Sequence, residues 1–394
     1  MRIVGVIAEY NPFHQGHAWQ LHKARELARA DAVVVVMSSC FTQRGDAALL
    51  SPADRARMAL ACGADAVFAL PAMWSVRDAE HFALGGVALL HGMGVNAISF
   101  GAETADAGLL WRAARLLEQP DNALSAAMQE PLSRGLSWPE ALAAAAGAID
   151  PAIGKLLASP NNTLAICYLR AMLRLGATMD VHPVPRQGDY RDTAISGAFS
   201  SATALRGAIL RGDWQGAEQA MPRTAYAILR NAALHGRLHR PEALDLPLLY
   251  RLRGMNTEEL ARLPDLSEGV EQRLQNAALT ARSREELLET AKTRRYPYAR
   301  LSRLCAHALL GFTDELLHET PLPPAAWLLG LKKTARPLMT RLSASGFPII
   351  AKAADYDRAQ PWFQAELRVY DLWALGAGLP AGYGLRMGVI HEEQ

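Results

Sequence analysis

The chain has 394 residues, of which 50% are apolar and 20% charged, and carries a formal net charge of +2. This length exceeds one ordinary core and implies two or three domains, and the composition excludes a disordered or fibrous chain. A sequence pI near 8.4 excludes a uniformly basic nucleic-acid binder, so any RNA contact must come from local clusters of cations.

Residues 3–8 form a short apolar run rich in β-branched side chains, which reads as a strand covered on both faces. Glu9 ends that run before a signal-peptide core can form, and no apolar stretch reaches the about 18 residues that span a bilayer. After Gly16-His17, residues Leu21, Ala24, Leu27 and Ala28 recur at helical spacing, and residues 32–37 read as a second buried strand. Ser51 and Pro52 stand where an N-cap and first helical residue belong, with Asp54 in the first turn of a helix running to Ala61.

Residues 66–70 are expected as a third strand, a helix follows around 81–92, and residues 97–100 make a fourth strand ending in Gly101. This alternation predicts an α/β fold with a doubly wound parallel sheet, whose ligands bind at the carboxyl ends of the strands. Residues 105–176 are helical in period, Thr178–Val184 supply one more strand, and helical patterns dominate from residue 216. Pro321, Pro323 and Pro324 interrupt them, and a Gly-rich stretch lies near Gly376–Gly384. The expected domains are therefore 1–215, catalytic, and 216–394, a mostly α-helical C-terminal region. Cys40, Cys62, Cys167 and Cys305 are scattered without CxxC or framework spacing. Neither a disulfide scaffold nor a zinc site is expected, and a reducing cytoplasm suits them.

The segment Glu9-Tyr10-Asn11-Pro12-Phe13-His14-Gln15-Gly16-His17 stands where the first strand hands over to the first helix. A helix N-terminus offers N–H groups and a partial positive charge, and a glycine lets a phosphate approach the backbone. His14 and His17 can then donate hydrogen bonds as charge builds on a phosphoryl group and on departing pyrophosphate. Outside that context a His-x-Gly-His run can equally be exposed loop, and without a third ligand it makes a poor zinc site. Ser200, Ser201 and Thr203 with Arg206 one turn later form a second candidate phosphate contact, or a serine-rich N-cap.

The sequence resembles the His-x-Gly-His nucleotidyltransferase superfamily and, more closely, the bacterial tRNA(Met) cytidine acetate ligase family. The resemblance is carried by Gly5–His17, Phe41-Thr42-Gln43-Arg44-Gly45-Asp46, Gly63-Ala64-Asp65, Ser99-Phe100-Gly101-Ala102-Glu103, Ser159-Pro160-Asn161-Asn162 and Ser200–Arg206, in the family's order. It extends through Arg294-Arg295-Tyr296, Arg300–Arg303 and Asp371–Gly376. It implies a Rossmann-like nucleotidyltransferase that uses ATP and acetate to form acetyl-adenylate and acetylates N4 of the wobble cytidine in elongator methionine tRNA. Magnesium is expected with the ATP; no dedicated protein metal site and no stable protein partner are implied.

Carried over by position, the ATP site comprises Ile7, Ala8, Glu9, Tyr10, Asn11, Pro12, Phe13, His14, Gln15, Gly16, His17 and Gln20, with Gly101, Asn161 and Arg186. Gly101 can be a plain turn glycine, Asn161 a helix cap and Arg186 a solvated arginine; each also suits a nucleotide. Arg44 and Asp46 are expected on a loop near substrate. Gln15 and Gln187 depart from the family pattern, the latter replacing an expected second basic residue beside Arg186. Lys292, Arg294, Arg295, Arg300 and Arg303, with Tyr296 and Tyr298 interleaved, form the strongest basic cluster and the candidate tRNA contact. With Glu285, Glu286 and Glu289 upstream, it can also be a solvated helix face. Two other functions fit the catalytic turn: an adenylyltransferase acting on a phosphorylated cofactor precursor, and a non-catalytic RNA binder regulated by nucleotide.

Overall fold

The computed structural model describes residues 1–118, 122–186, 200–266, 269–293, 296–353 and 356–392. Its centre is an eight-stranded sheet of order β5-β4-β1-β2-β3-β6-β7, with β8 also paired to β6. The strands are β1 (Ile3–Ala8), β2 (Ala32–Ser38), β3 (Ala66–Leu70), β4 (Ala97–Ala102), β5 (Asp180–Pro185), β6 (Ala326–Lys332), β7 (Ile349–Ile350) and β8 (Ile390–Glu392). From β5 to β3 every pairing is parallel, and Val4 faces Val33 on one side and Ala97 on the other. Every residue of β2 and β3 is buried, as expected for strands covered on both faces.

Four helices follow the first three strands: α1 (Gln15–Ala28), α2 (Pro52–Ala61), the short α3 (Ala72–Ser75) and α4 (Ala79–Gly92). Ser51 caps α2 as its sequence implies, its Oγ accepting from Asp54 N at 3.0 Å. Bare backbone brings α4 onto the sheet: a Cβ on Gly86 would meet Ile7 at 2.6 Å, and one on Gly5 would meet Leu90 at 2.5 Å. The two glycines therefore fix how closely β1 and α4 approach.

The expected mostly helical C-terminal region also lends strands to this sheet. Ala326–Lys332 is strand β6, antiparallel to β3, and β7 and β8 run parallel to β6. The six-residue run Ala326–Leu331 carries no period that separates a buried strand from a buried helix, so its strand character comes from pairing with β3. Helices Asp245–Gly254, Val270–Thr280, Arg284–Ala291 and Tyr298–Leu310 surround a separate apolar core containing Leu252, Leu274, Leu287 and Leu304. No helix among the described residues is long and apolar enough to cross a membrane.

Candidate active site

Strand order reverses at β1, whose neighbours are β2 and β4. In an open parallel sheet a crevice opens outside the carboxyl ends of the strands at such a point. The segment from Glu9 to His14 crosses that edge, and a cleft there is lined by His14, Gly16, His17, Gln20, Gly101 and Arg186, with Ser200 and Ser201 opposite. The remainder of the first-strand segment supports these groups from beneath. Tyr10 and Phe13 are buried, their ring centroids 4.8 and 5.4 Å from that of His17, and Asn11 Oδ1 accepts from Leu49 N at 2.8 Å.

His14 is the N-cap of α1. Its Nδ1 accepts from Gly16 N at 3.1 Å, while His17 Nδ1 accepts from His14 N at 3.2 Å, a reciprocal capping box. A backbone N–H can only donate, so Nδ1 of each ring must hold a lone pair, and a neutral ring then carries its proton on Nε2. Burial, reinforced by Arg186, pushes His14 down to about 3. Burial first, then His14 and Arg186, holds His17 well below its usual value. Both imidazoles are therefore neutral Nε2–H donors near pH 7, stacked with centroids 3.6 Å apart.

This cap also changes what the helix end offers. The Gly16 N–H, expected to meet a phosphate, is donated to His14, and His17 N donates to His14 O at 3.0 Å. Gly16 is required for a different reason: a Cβ there would stand 2.9 Å from His14 Cε1 and push the ring aside. The anion-binding capacity of the turn thus rests on the imidazoles and the helix dipole more than on free backbone donors.

On the β4 side, Glu103, Asn161 and Arg186 form a chain. Asn161 Nδ2 donates to Glu103 Oε1 at 2.6 Å, and Arg186 Nη1 donates to Asn161 Oδ1 at 3.0 Å. Glu103 also accepts from Asn162 N at 2.8 Å, so it caps helix Pro160–Leu175 and turns the Asn161 amide oxygen toward the guanidinium. Arg186 lies across Gly101, where a Cβ would meet its Cγ at 3.3 Å. Gln187 falls outside the described residues.

The second serine segment divides. Ser200 and Ser201 line the cleft, and Ser201 Oγ accepts from Ala204 N at 3.0 Å as the cap of helix Ala202–Leu210. Arg206 instead donates to Asn11 O at 2.7 Å and to Thr203 Oγ1 at 3.2 Å, and lines an adjoining cavity. Asp46 lines that cavity too, its Oδ1 accepting from Arg284 Nη2 at 2.9 Å, whereas the Arg44 side chain is exposed. Glu9 Oε1 accepts from Gln43 N at 2.5 Å and pins this loop to β1; burial raises its pKa against Gln43, Arg206 and Arg44.

Three supporting residues were not foreseen among the site residues. Trp19 lines the cleft with a buried indole Nε1 that has no partner among the described residues. Glu103 anchors Asn161. Arg55, fully buried, donates to the carbonyls of Glu9 (2.8 Å), Ser38 (2.9 Å), Leu50 (3.1 Å) and Ser39. It thereby joins the ends of β1 and β2, and burial lowers its pKa to about 10. Two of them carried a sequence signal: Trp19 stands two positions after His17 on the first turns of α1, and Glu103 ends one of the segments that carry the family resemblance.

The basic cluster is less open than its sequence implies. Arg294 and Arg295 lie outside the described residues. Lys292 is exposed and 3.5 Å from Glu289, while Arg300 donates to Asp265 O at 3.0 Å and lies over the Tyr296 ring. Tyr296 is buried in the helical core, so its ring cannot stack on an exposed base, and Arg303 is half-buried. Tyr298 remains 38% exposed, which leaves it the one accessible aromatic of the pair.

The family described as HIGH Nucleotidyl Transferase matches residues 1–379, and the fold and catalytic turn are those of that class. The tRNA(Met) cytidine acetate ligase of Geobacillus sp. (strain WCH70) is 32% identical over 400 residues, spanning 100% of this chain and 98% of that protein. The tRNA(Met) cytidine acetate ligase of Kosmotoga olearia is 34% identical over 354 residues, 87% of this chain and 83% of its own. Thermotoga maritima TmcAL, solved in an apo form and with alpha-thio ATP bound, matches with TM-scores of 0.90 and 0.88 at 27% identity, each covering 100% of both chains. The chain belongs to the tRNA(Met) cytidine acetate ligase family.

Proposed function

We propose that this chain activates acetate with ATP and transfers the acetyl group to N4 of the wobble cytidine of elongator tRNA(Met). An acetate oxygen attacks the α-phosphorus, the bond to the bridging oxygen breaks, and pyrophosphate leaves. The cytidine amine then attacks the acetyl carbon, the bond from that carbon to the phosphate oxygen breaks, AMP leaves with the electron pair, and the amine releases a proton. The observation that carries this reading is the pair of neutral imidazoles, each left with Nε2–H, at the switch point of the sheet. Positioned donors of this kind stabilise charge that develops on phosphoryl oxygens without needing reorganisation. Arg186, held by Asn161, supplies a cation at the same cleft.

In this reading residues 1–215 carry the nucleotide chemistry, and residues 216–394, which also lend three strands to the sheet, present the tRNA through Lys292, Arg294, Arg295, Arg300 and Arg303. Mg²⁺ arrives with the triphosphate, whose phosphate oxygens are its usual ligands. The reaction belongs in the cytoplasm, where its tRNA and ATP are found, and needs no stable protein partner. The test is incubation of the chain with ATP, labelled acetate and tRNA, followed by nucleoside mass spectrometry. The expected product is labelled N4-acetylcytidine with stoichiometric pyrophosphate; pyrophosphate release independent of acetate, or no turnover, contradicts the proposal.

A further inference from the structure

Beside the nucleotide cleft lies a second cavity, between the loop after β2 and the helical core. Its walls are apolar, with Phe41, Leu49, Leu244 and Leu248 all buried, and its polar groups include Asp46, Arg206 and Arg284. Helix Ala202–Leu210 borders both spaces: the serines just before it line the cleft, and Arg206 and Leu210 line the cavity. At about 1.5 Å of rise per residue, Ser201 and Arg206 stand roughly 8 Å apart along that helix.

Arg284 donates through Nη2 to Asp46 Oδ1 (2.9 Å), Gly45 O (3.3 Å) and Ser302 Oγ (2.5 Å). No hydrogen bond links its Nε or Nη1, or Asp46 Oδ2, to any described residue. A carboxylate joined to a guanidinium through Nη2 presents a free acceptor, Asp46 Oδ2, beside one free N–H donor, because Nε–H and the Nη1 hydrogens point to different sides of the planar group. That order complements the amine hydrogen of cytosine and its adjoining N3 acceptor. Uracil would turn its O4 toward the carboxylate and be repelled. Apolar walls suit the two faces of a base taken out of its stack.

We propose that this cavity seats the acceptor cytosine, read by Asp46 at the exocyclic amine and by Arg284 at N3; this rests on the function proposed above. Leu244, Leu248 and Arg251 follow one face of the chain into helix Asp245–Gly254, leading from the cavity to a groove lined by Arg251 and Arg368. Both arginines are exposed, with no hydrogen bond or ion pair to a described residue, and they stand where phosphates flanking the base would pass.

The test is binding, since uridine has no amine to acetylate: the dissociation constants of two tRNA(Met) transcripts, one with cytidine and one with uridine at the wobble position, are compared. Wild-type protein is expected to bind the cytidine transcript about tenfold or more tightly, the discrimination of a two-point base contact. Asp46→Asn should erase or invert that preference, whereas a purely structural role for Asp46 would weaken both transcripts alike and overturn the assignment. Leu248→Trp, which fills the cavity without touching the Asp46 carboxylate, keeps the test open if Asp46→Asn fails to fold. It should lower the rate of transfer relative to acetate-dependent pyrophosphate release by more than tenfold, and an unchanged ratio would overturn the proposal. Absence of any acetyl transfer by wild-type protein would defeat the underlying function, whereas wild-type transfer with both variants retaining cytidine preference and ratio would defeat the cavity assignment alone.

Discussion

Replacing His14 separates two tasks that one side chain performs. His14 caps α1 through Nδ1 and presents Nε2–H to the cleft, so His14→Ala removes both the cap and the donor. Loss of an N-cap costs about 1 kcal/mol, and the ring, 8% exposed, leaves a void that adds to this. The reading of this turn as exposed loop implied no stability cost; the buried cap predicts one of about 1–2 kcal/mol, or roughly 1–4 °C in Tm. Asparagine is a strong N-cap residue, so His14→Asn should recover most of that loss. Neither variant has the imidazole donor, and loss of one positioned donor lowers such rates by about 10²–10³-fold.

The acid dependence gives a second handle on the same ring. Unfolded histidine takes up a proton below about pH 6.5, whereas His14 in the folded protein stays neutral down to about 3. The unfolded state therefore binds more protons across that window, and stability falls as pH drops from 6.5 toward 3, by up to about 1.4 kcal/mol per pH unit for each such imidazole. His14→Asn should show a shallower fall than wild type. The assays are acetate-dependent pyrophosphate release and thermal denaturation between pH 5 and 7. A His14→Asn protein that turns over at the wild-type rate would refute the donor role, and one as destabilised as His14→Ala would refute the cap.

Three further substitutions follow from the contacts around the cleft. Gly16→Ala sets a methyl 2.9 Å from His14 Cε1 and should slow adenylate formation more than tenfold while Tm moves only a few degrees, read by pyrophosphate release and denaturation. Glu103→Ala releases the Asn161–Arg186 pair and uncaps helix Pro160–Leu175, so the KM for ATP should rise about tenfold with a stability loss near 1 kcal/mol, checked by steady-state kinetics and a melt. Arg55→Met leaves four buried carbonyls without their donor and should cost at least about 3 kcal/mol, seen as a lower denaturation midpoint, with Arg55→Lys intermediate.

The parallel half of the sheet was legible because its signals are local. Four consecutive valines in β2 and the Ser51-Pro52 start of α2 specify their elements without reference to the remainder of the chain. The His-x-Gly-His turn was legible because a strand precedes it and a helix follows. What stayed hidden depends on distant partners. Residues 326–332 become a strand because β3 offers an open edge, and Glu103 caps a helix 58 residues away through Asn161 and Asn162. Arg206 looked like a phosphate ligand one turn after a serine cap, yet its guanidinium is drawn to the Asn11 carbonyl, 195 residues away in sequence. Tyr296 read as a base-stacking aromatic among arginines, but the helical core encloses it. Side-chain direction, which separates these outcomes, is fixed by tertiary packing and not by spacing along the chain.

A crystal structure with an unreactive ATP analogue bears most directly on the catalytic turn. It should place α-phosphate oxygens about 2.7–3.2 Å from Nε2 of both His14 and His17, with Arg186 against the same nucleotide. A triphosphate bound elsewhere, or imidazoles turned so that Nε2 faces the protein interior, would contradict the account.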